Sequence, residues 1–177
     1  TSEPTTNPAT CSHTIRLSSF CRFASPIQAS VTLPASSVPT YAMDRTQLHS
    51  LLPHQGQALW LDALLGHDAS RIEGLSAWHH LQAFGNDASP CLLFEAAAQL
   101  CAAHGALYGE DNAIDMALVG KLSQLQLHHE PQHREGPLHV AATQEALSPA
   151  GALYAFSIHA EQRLLLDGKL LLVLVRA

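Results

Sequence analysis

The chain has 177 residues, a formal net charge of −6, and nine Lys plus Arg against fifteen Asp plus Glu. That length suits one domain, and an apolar share of 47% is ordinary for a globular core. So few cations leave no electrostatic footprint for nucleic acid. No apolar run free of polar residues reaches the roughly 18 residues of a membrane span.

There are four cysteines: Cys11, Cys21, Cys91 and Cys101. Cys91 and Cys101 fall on one predicted helix, about 15 Å apart at ~1.5 Å per residue, too far for a disulfide. No Cys-x-x-Cys pair exists, so neither a zinc knuckle nor a redox motif is supported. A reducing, cytoplasmic setting is expected.

Residues 1–42 are rich in Ser, Thr, Pro and Ala, hold one acidic residue (Glu3), and show no sustained periodicity. They are expected to be a disordered leader or a non-native extension, with Met43 as an alternative natural start. They have some transit-peptide character, Arg16 and Arg22 among many Ser, but no continuous apolar core. Residues 43–177 read as a single domain.

Asp44-Arg45-Thr46-Gln47-Leu48 starts a short helix that ends before Pro53. Ala58–His67 and Arg71–Trp78 read as two strands separated by Asp68-Ala69-Ser70. Residues 79–90 read as a loop rich in Gly, Asn, Asp, Ser and Pro. A long helix follows, from about Cys91 to Tyr108. Ser89 is a good N-cap, Pro90 suits the first helical position, and Gly105 and Gly109 are candidate stops.

Strands are then predicted near Met116–His128, Leu138–Leu147, Ala152–His159 and Arg163–Val175. The breakers are Pro131 to Gly136-Pro137, Ser148-Pro149-Ala150-Gly151, and Asp167-Gly168. The short links imply antiparallel hairpins, because parallel strands need long crossovers that are absent here. The expected class is α+β: an antiparallel sheet of five or six strands wrapped around one long buried central helix.

That helix, Cys91-Leu92-Leu93-Phe94-Glu95-Ala96-Ala97-Ala98-Gln99-Leu100-Cys101, is apolar nearly all round and therefore buried. It carries one carboxylate, Glu95, with Gln99 a turn later on the same face. A carboxylate is almost never fully buried without a partner or a task. Apolar burial favours its neutral form and the helix dipole its charged form. That balance suits a general acid or base.

Of twelve histidines, most are expected on the surface. His128, His129 and His133 beside Glu130 match no zinc spacing and read as a solvated loop; no metal is expected. His49 and His54 flank Pro53 and read as surface or interface, and His104 as a polar group near the helix end. His79 and His80 differ, standing where a strand ends and the loop into the helix begins. Simple solvation and an acid/base couple with Glu95 both fit them.

The segment Trp78-His79-His80-Leu81, followed by Ser89-Pro90-Cys91-Leu92-Leu93-Phe94-Glu95-Ala96-Ala97-Ala98-Gln99, resembles the active-site stretch of the hotdog-fold 3-hydroxyacyl-[acyl-carrier-protein] dehydratases. That family carries a His, a Pro-Gly loop, then Leu-x-x-Glu/Asp-Ala-x-x-Gln opening its long helix. Leu92-x-x-Glu95-Ala96-x-x-Gln99 keeps the last part. Leu51-Leu52-Pro53-His54-x-Gly56, Trp60-Leu61-Asp62 and Ala102-Ala103-His104-Gly105-Ala106-Leu107 are similar to the branch linked to aryl polyene synthesis. Residues 45–175 are covered. The family's His-Phe-Pro-Gly is absent, and Pro90, which has no N–H, stands where the family usually has a Gly whose amide holds the thioester carbonyl.

The resemblance implies a hotdog domain over residues 43–177 and a (3R)-hydroxyacyl thioester on a phosphopantetheine arm, with no other cofactor. His80 as base, or His79 in its place, would remove the α proton. The Cys91 N–H would stabilise the developing enolate, and Glu95, oriented by Gln99, would protonate the departing hydroxyl to leave a trans-2-enoyl thioester. It implies acyl carrier protein as partner, in a homodimer or a heterodimer with a related hotdog subunit. Residues 43–177 hold seven Lys plus Arg against fourteen Asp plus Glu. Docking an acidic carrier then falls to a small patch (Arg71, Lys121, Arg134) or to a more basic partner. Two rival readings remain: a catalytically weak or silent subunit supporting an active partner, and an acyl-thioester hydrolase.

Overall fold

The computed structural model describes residues 9–10, 21–22, 43–109, 114–131 and 133–176. A capping box opens the folded region. Asp44 accepts the Gln47 amide at 3.0 Å while the Gln47 side chain accepts the Asp44 amide at 3.0 Å. Two orphan donors are thus satisfied at the start of helix α1, Arg45–Leu51.

The sheet is antiparallel throughout. Its strands are β1 (Ala9–Thr10), β2 (Cys21–Arg22), β3 (Met43–Asp44), β4 (Ala63–His67), β5 (Arg71–Ala77), β6 (Ile114–Leu127), β7 (Pro137–Ser148), β8 (Gly151–Ala160) and β9 (Arg163–Arg176). The order across it is β1-β6-β9-β8-β7-β5-β4-β3, with β2 also on β6. Seven strands therefore come from residue 43 onward, where five or six were expected; the extra one is the two-residue β3. Of the N-terminal extension, the two described pieces pair with β6, a pairing its composition did not suggest. The rest of the expected disordered leader lies outside the described residues.

Two tight hairpins join the last three strands. Pro149-Ala150 closes β7 on β8 at the Ser148–Gly151 pair. Glu161 and Gln162, with φ of 50° and 64°, close β8 on β9 at the Ala160–Arg163 pair. Asp167-Gly168, expected to break a strand, runs inside β9. Gly168 is needed there for closeness: a Cβ would lie 3.0 Å from the Phe156 ring and 3.3 Å from the Leu125 Cα.

A 3-10 turn, Pro90–Leu93, leads into the central helix α3, Phe94–Tyr108. Ser89 caps the turn as its sequence position suggests. Gly109 ends the helix, its amide donating to the Gly105 carbonyl, so Gly105 is helical and not a stop. Residues 94 and 96–104 of α3 are all buried. Five of them are alanines (96, 97, 98, 102 and 103), which let the sheet approach closely. Gly74 does the same from β5, where a Cβ would meet the Ala63 carbonyl at 2.8 Å and Leu100 at 3.0 Å. Burying a residue such as Leu100 contributes about 1.5–3 kcal/mol. By length and composition Pro90–Tyr108 is apolar enough to cross a membrane, but 67% of it is buried inside the domain as core.

Candidate active site

Glu95 is the one residue between Phe94 and His104 that is not buried, with 18% of its side chain exposed. Its Oε1 accepts the Gln99 Nε2–H at 3.1 Å, the i, i+4 contact expected from their spacing. Gln99 itself is 1% exposed and does more. Its Nε2 also donates to the Ala58 carbonyl at 2.8 Å, and its Oε1 accepts the Trp60 amide at 2.8 Å. One side chain thus clamps the segment 58–60 to α3 and holds the carboxylate.

That segment was expected to be strand. Instead Gly56–Ala58 is a 3-10 turn, and residues 59–62 lie outside any strand before β4 begins at Ala63, although the Asp62 amide already donates to the Leu75 carbonyl of β5 at 2.8 Å. The Arg45 guanidinium fixes it further, donating to the carbonyls of Gly56, Leu59 and Leu61 and to Asp62 Oδ1 at 2.6 Å.

His79 and His80 lie on a short helix α2, Trp78–Gln82, not on a loop. Trp78 and Leu81, three apart, are its buried side. His80 is 5% exposed. Its Nε2 meets Asp62 Oδ1 at 3.3 Å, and its ring stacks on Trp60 with centroids 6.1 Å apart and planes at 16°. Burial and the neighbouring His79 lower its pKa, against an opposing pull from Asp62. His79 is exposed and tilted against His80 at 3.9 Å.

Among the described residues, no hydrogen bond or ion pair joins His80 to Glu95. The imidazole beside Glu95 is His54, with Nε2 at 3.9 Å from Glu95 Oε1 and only 11% of its side chain exposed. Burial holds the His54 pKa below its ordinary value, with Glu95 pulling the other way. His54 and Glu95 line a narrow pocket with Ala98, Ala102, Ala117 and Leu172. The sequence reading assigned His54 to surface or interface. It sits on the irregular turn after Pro53, where no periodicity signals burial; the only available signal was its place in Leu51-Leu52-Pro53-His54-x-Gly56.

The site therefore contains two imidazole–carboxylate pairs, His54–Glu95 and His80–Asp62. Gln99 and Trp60 link them. Asp62, His79 and His80 also bring ligand atoms within 4.8 Å of one another, close enough for a metal. Arg45 already meets that carboxylate at 2.6 Å, so a fixed cation stands where a metal would need the charge.

At the start of the helix, the Cys91 amide donates to the Ser89 hydroxyl at 3.3 Å. The proposed oxyanion donor is thus spent on a long bond within its own turn. The Cys91 sulfur is disulfide-bonded, where unpaired thiols were expected, and Cys101 is a free buried thiol whose pKa burial raises. His129 Nδ1 donates to the Leu164 carbonyl at 3.0 Å and His128 pairs with Asp167 at 3.2 Å, so these two are individually engaged.

This sheet and helix recur among solved structures. The chain is similar to the dehydratase heterocomplex ApeI:P from Xenorhabdus doucetiae, at 12% identity over 70% of this chain and 88% of that one, with a TM-score of 0.61. It is similar to a mutant of thioesterase PA1618 from Pseudomonas aeruginosa, at 12% identity over 76% and 96%, TM-score 0.56. Thioesterase HI1161 from Haemophilus influenzae matches at 16% identity over 67% and 80%, TM-score 0.50. No family model and no curated protein matches the chain. The fold is the hotdog fold, and these solved neighbours are named as a dehydratase and two thioesterases.

Proposed function

We propose that the chain dehydrates (3R)-hydroxyacyl thioesters, carried on the pantetheine arm of an acyl carrier protein, to trans-2-enoyl thioesters. The observation that carries this reading is Glu95: a carboxylate at the opening of a buried helix, gripped by Gln99 at 3.1 Å, on the wall of a narrow, mostly apolar pocket. A carboxylic acid so held can protonate a departing hydroxyl while an imidazole takes the α proton. The imidazole put forward by the sequence is His80, with His79 second. Acting on the same substrate, His80 would have to face Glu95 across a subunit interface. The resemblance to the aryl-polyene branch of the dehydratases is the reason to prefer a hydroxyacyl substrate and a polyene or fatty-acid setting.

Partnership follows from charge. Of the patch Arg71, Lys121 and Arg134, Arg71 pairs with Glu73 at 2.6 Å and Arg134 with Glu130 at 3.5 Å. Two of the three cations are thus already engaged by carboxylates. That favours a heterodimer, with a more basic hotdog subunit docking the carrier. Pro90 without an amide, and the Cys91 amide held by Ser89, favour the second reading of a weak or silent subunit that supports an active partner. Weakening one oxyanion donor costs about 10²-fold or more in rate.

The test sets 3-hydroxyoctanoyl-pantetheine beside octanoyl-pantetheine, with the chain alone and co-purified with its hotdog partner. Enoyl formation from the first supports the proposal. Thiol release from the second without enoyl formation replaces it with the hydrolase. Activity only in the complex, unaffected by Glu95→Gln, replaces it with the silent subunit.

A further inference from the structure

We infer that the base of this dehydration is His54 of the same chain, working with Glu95 across the pocket they both line. The inference rests on the dehydratase reading and sharpens it, because it makes the acid/base couple self-contained.

Position comes first. His54 Nε2 stands 3.9 Å from Glu95 Oε1, slightly beyond a direct hydrogen bond, and catalytic contacts without substrate are often that loose. Both side chains are nearly enclosed, and among the pocket's lining residues only these two titrate. The backbone is also prepared. His54 lies four residues before Ala58, whose carbonyl is clamped by Gln99, and two before Gly56, whose carbonyl is held by Arg45. Gln99 thus positions both members of the pair, Glu95 directly and His54 through its own segment. By contrast, His80 is committed to Asp62 and Trp60.

The chemistry closes on the pair. In the starting form His54 is the neutral imidazole and Glu95 carries the proton. Burial, which disfavours the imidazolium, supports that form of His54. His54 takes the C2 proton, and the C2–H electron pair becomes the C2=C3 bond. The C3–O bond breaks, and Glu95 gives its proton to the leaving oxygen, releasing water. The imidazolium and carboxylate then face each other, and the proton passes from His54 back to Glu95. No outside acid, base or oxidant is needed.

The experiment measures 3-hydroxyoctanoyl-pantetheine dehydration by the 177-residue chain and its His54→Gln, His54→Ala and Glu95→Gln variants, each checked for an unchanged melting temperature. The expected result is a loss of about 10²-fold or more in kcat for His54→Gln at little change in KM, and partial recovery of His54→Ala by added imidazole. A His54→Gln variant that folds and keeps kcat within about threefold, while Glu95→Gln is inactive, overturns the inference and leaves the dehydratase reading standing. Wild-type activity that appears only when a second hotdog protein is added also overturns the inference alone. Wild-type chain that forms no enoyl product with or without that protein overturns both. If His54→Gln does not fold, the imidazole recovery of His54→Ala decides: no recovery overturns the inference.

Discussion

Gln99→Leu removes the polar end of a side chain that is 1% exposed while keeping most of its volume. Three contacts go with it: the Trp60 amide at 2.8 Å, the Ala58 carbonyl at 2.8 Å and Glu95 at 3.1 Å. The Trp60 amide is the costly one. Trp60 is 5% exposed, so its N–H has no route to water, and an unsatisfied buried donor costs about 1–3 kcal/mol. Ala58 is exposed and its carbonyl can turn to solvent, so that loss is about 0.5–1.5 kcal/mol. Better apolar packing of Leu offsets part of this. The expected loss is about 1–4 kcal/mol, or a fall of roughly 2–16 °C in Tm at ~2–4 °C per kcal/mol for a chain of this size. Urea titration of wild type and Gln99→Leu, with m unchanged, measures it. A difference under about 0.5 kcal/mol, the size of an ordinary surface substitution, refutes the clamp and the positioning of Glu95 and His54 built on it.

Three further outcomes are expected. His54, His80 and His104 all have pKa values below the ordinary 6.5, chiefly through burial. The unfolded chain then binds more protons, so their share of stability is complete above pH 6.5 and is lost as pH falls through the lower folded values; urea midpoints measured from pH 8 to about pH 5 should decline, and a flat profile contradicts this. His104→Phe removes the ring's contacts to the Tyr154 hydroxyl and the Asp68 carbonyl at 3.0 and 2.9 Å; Tyr154 keeps the Gln144 amide at 3.0 Å, so the expected cost in the same titration is that of two lost hydrogen bonds, about 1–3 kcal/mol. Gly168→Ala drives a methyl to 3.0 Å from Phe156 and 3.3 Å from a backbone carbon, and overpacking of that kind should lower stability by about 1–3 kcal/mol in thermal melts.

Much of this molecule is legible in its sequence because local rules and global packing agree. Ser89-Pro90 marks the 3-10 turn that leads into the central helix, the largely apolar run marks its burial, and the short links after residue 136 leave only antiparallel hairpins. Where reading failed, the reason is physical. Asp167-Gly168 looks like a turn, but its glycine answers to Phe156 across the sheet, a contact that no local pattern encodes. Residues 58–62 look like a strand because they are mostly apolar, yet only Asp62 bonds to β5, and the carbonyls of Ala58, Leu59 and Leu61 and the amide of Trp60 are taken by Gln99 and Arg45, from two different helices. Helix α2 is a single turn with no side-chain cap, too short for a 3.6-residue period to emerge. Glu95 and Gln99 stood out because a polar residue on an apolar helix is costly. His54 did not, because a histidine after a proline in a turn is ordinary until a residue 41 positions later in the chain proves to face it.

The central claim is that Glu95 is the acid in a thioester dehydration. The direct measurement is the rate of enoyl-thioester formation from 3-hydroxyoctanoyl-pantetheine by wild type and Glu95→Gln, compared at equal folded concentration. A loss of about 10²–10⁴-fold is expected, the usual worth of a positioned general acid. Activity of Glu95→Gln within about tenfold of an active wild type would contradict it.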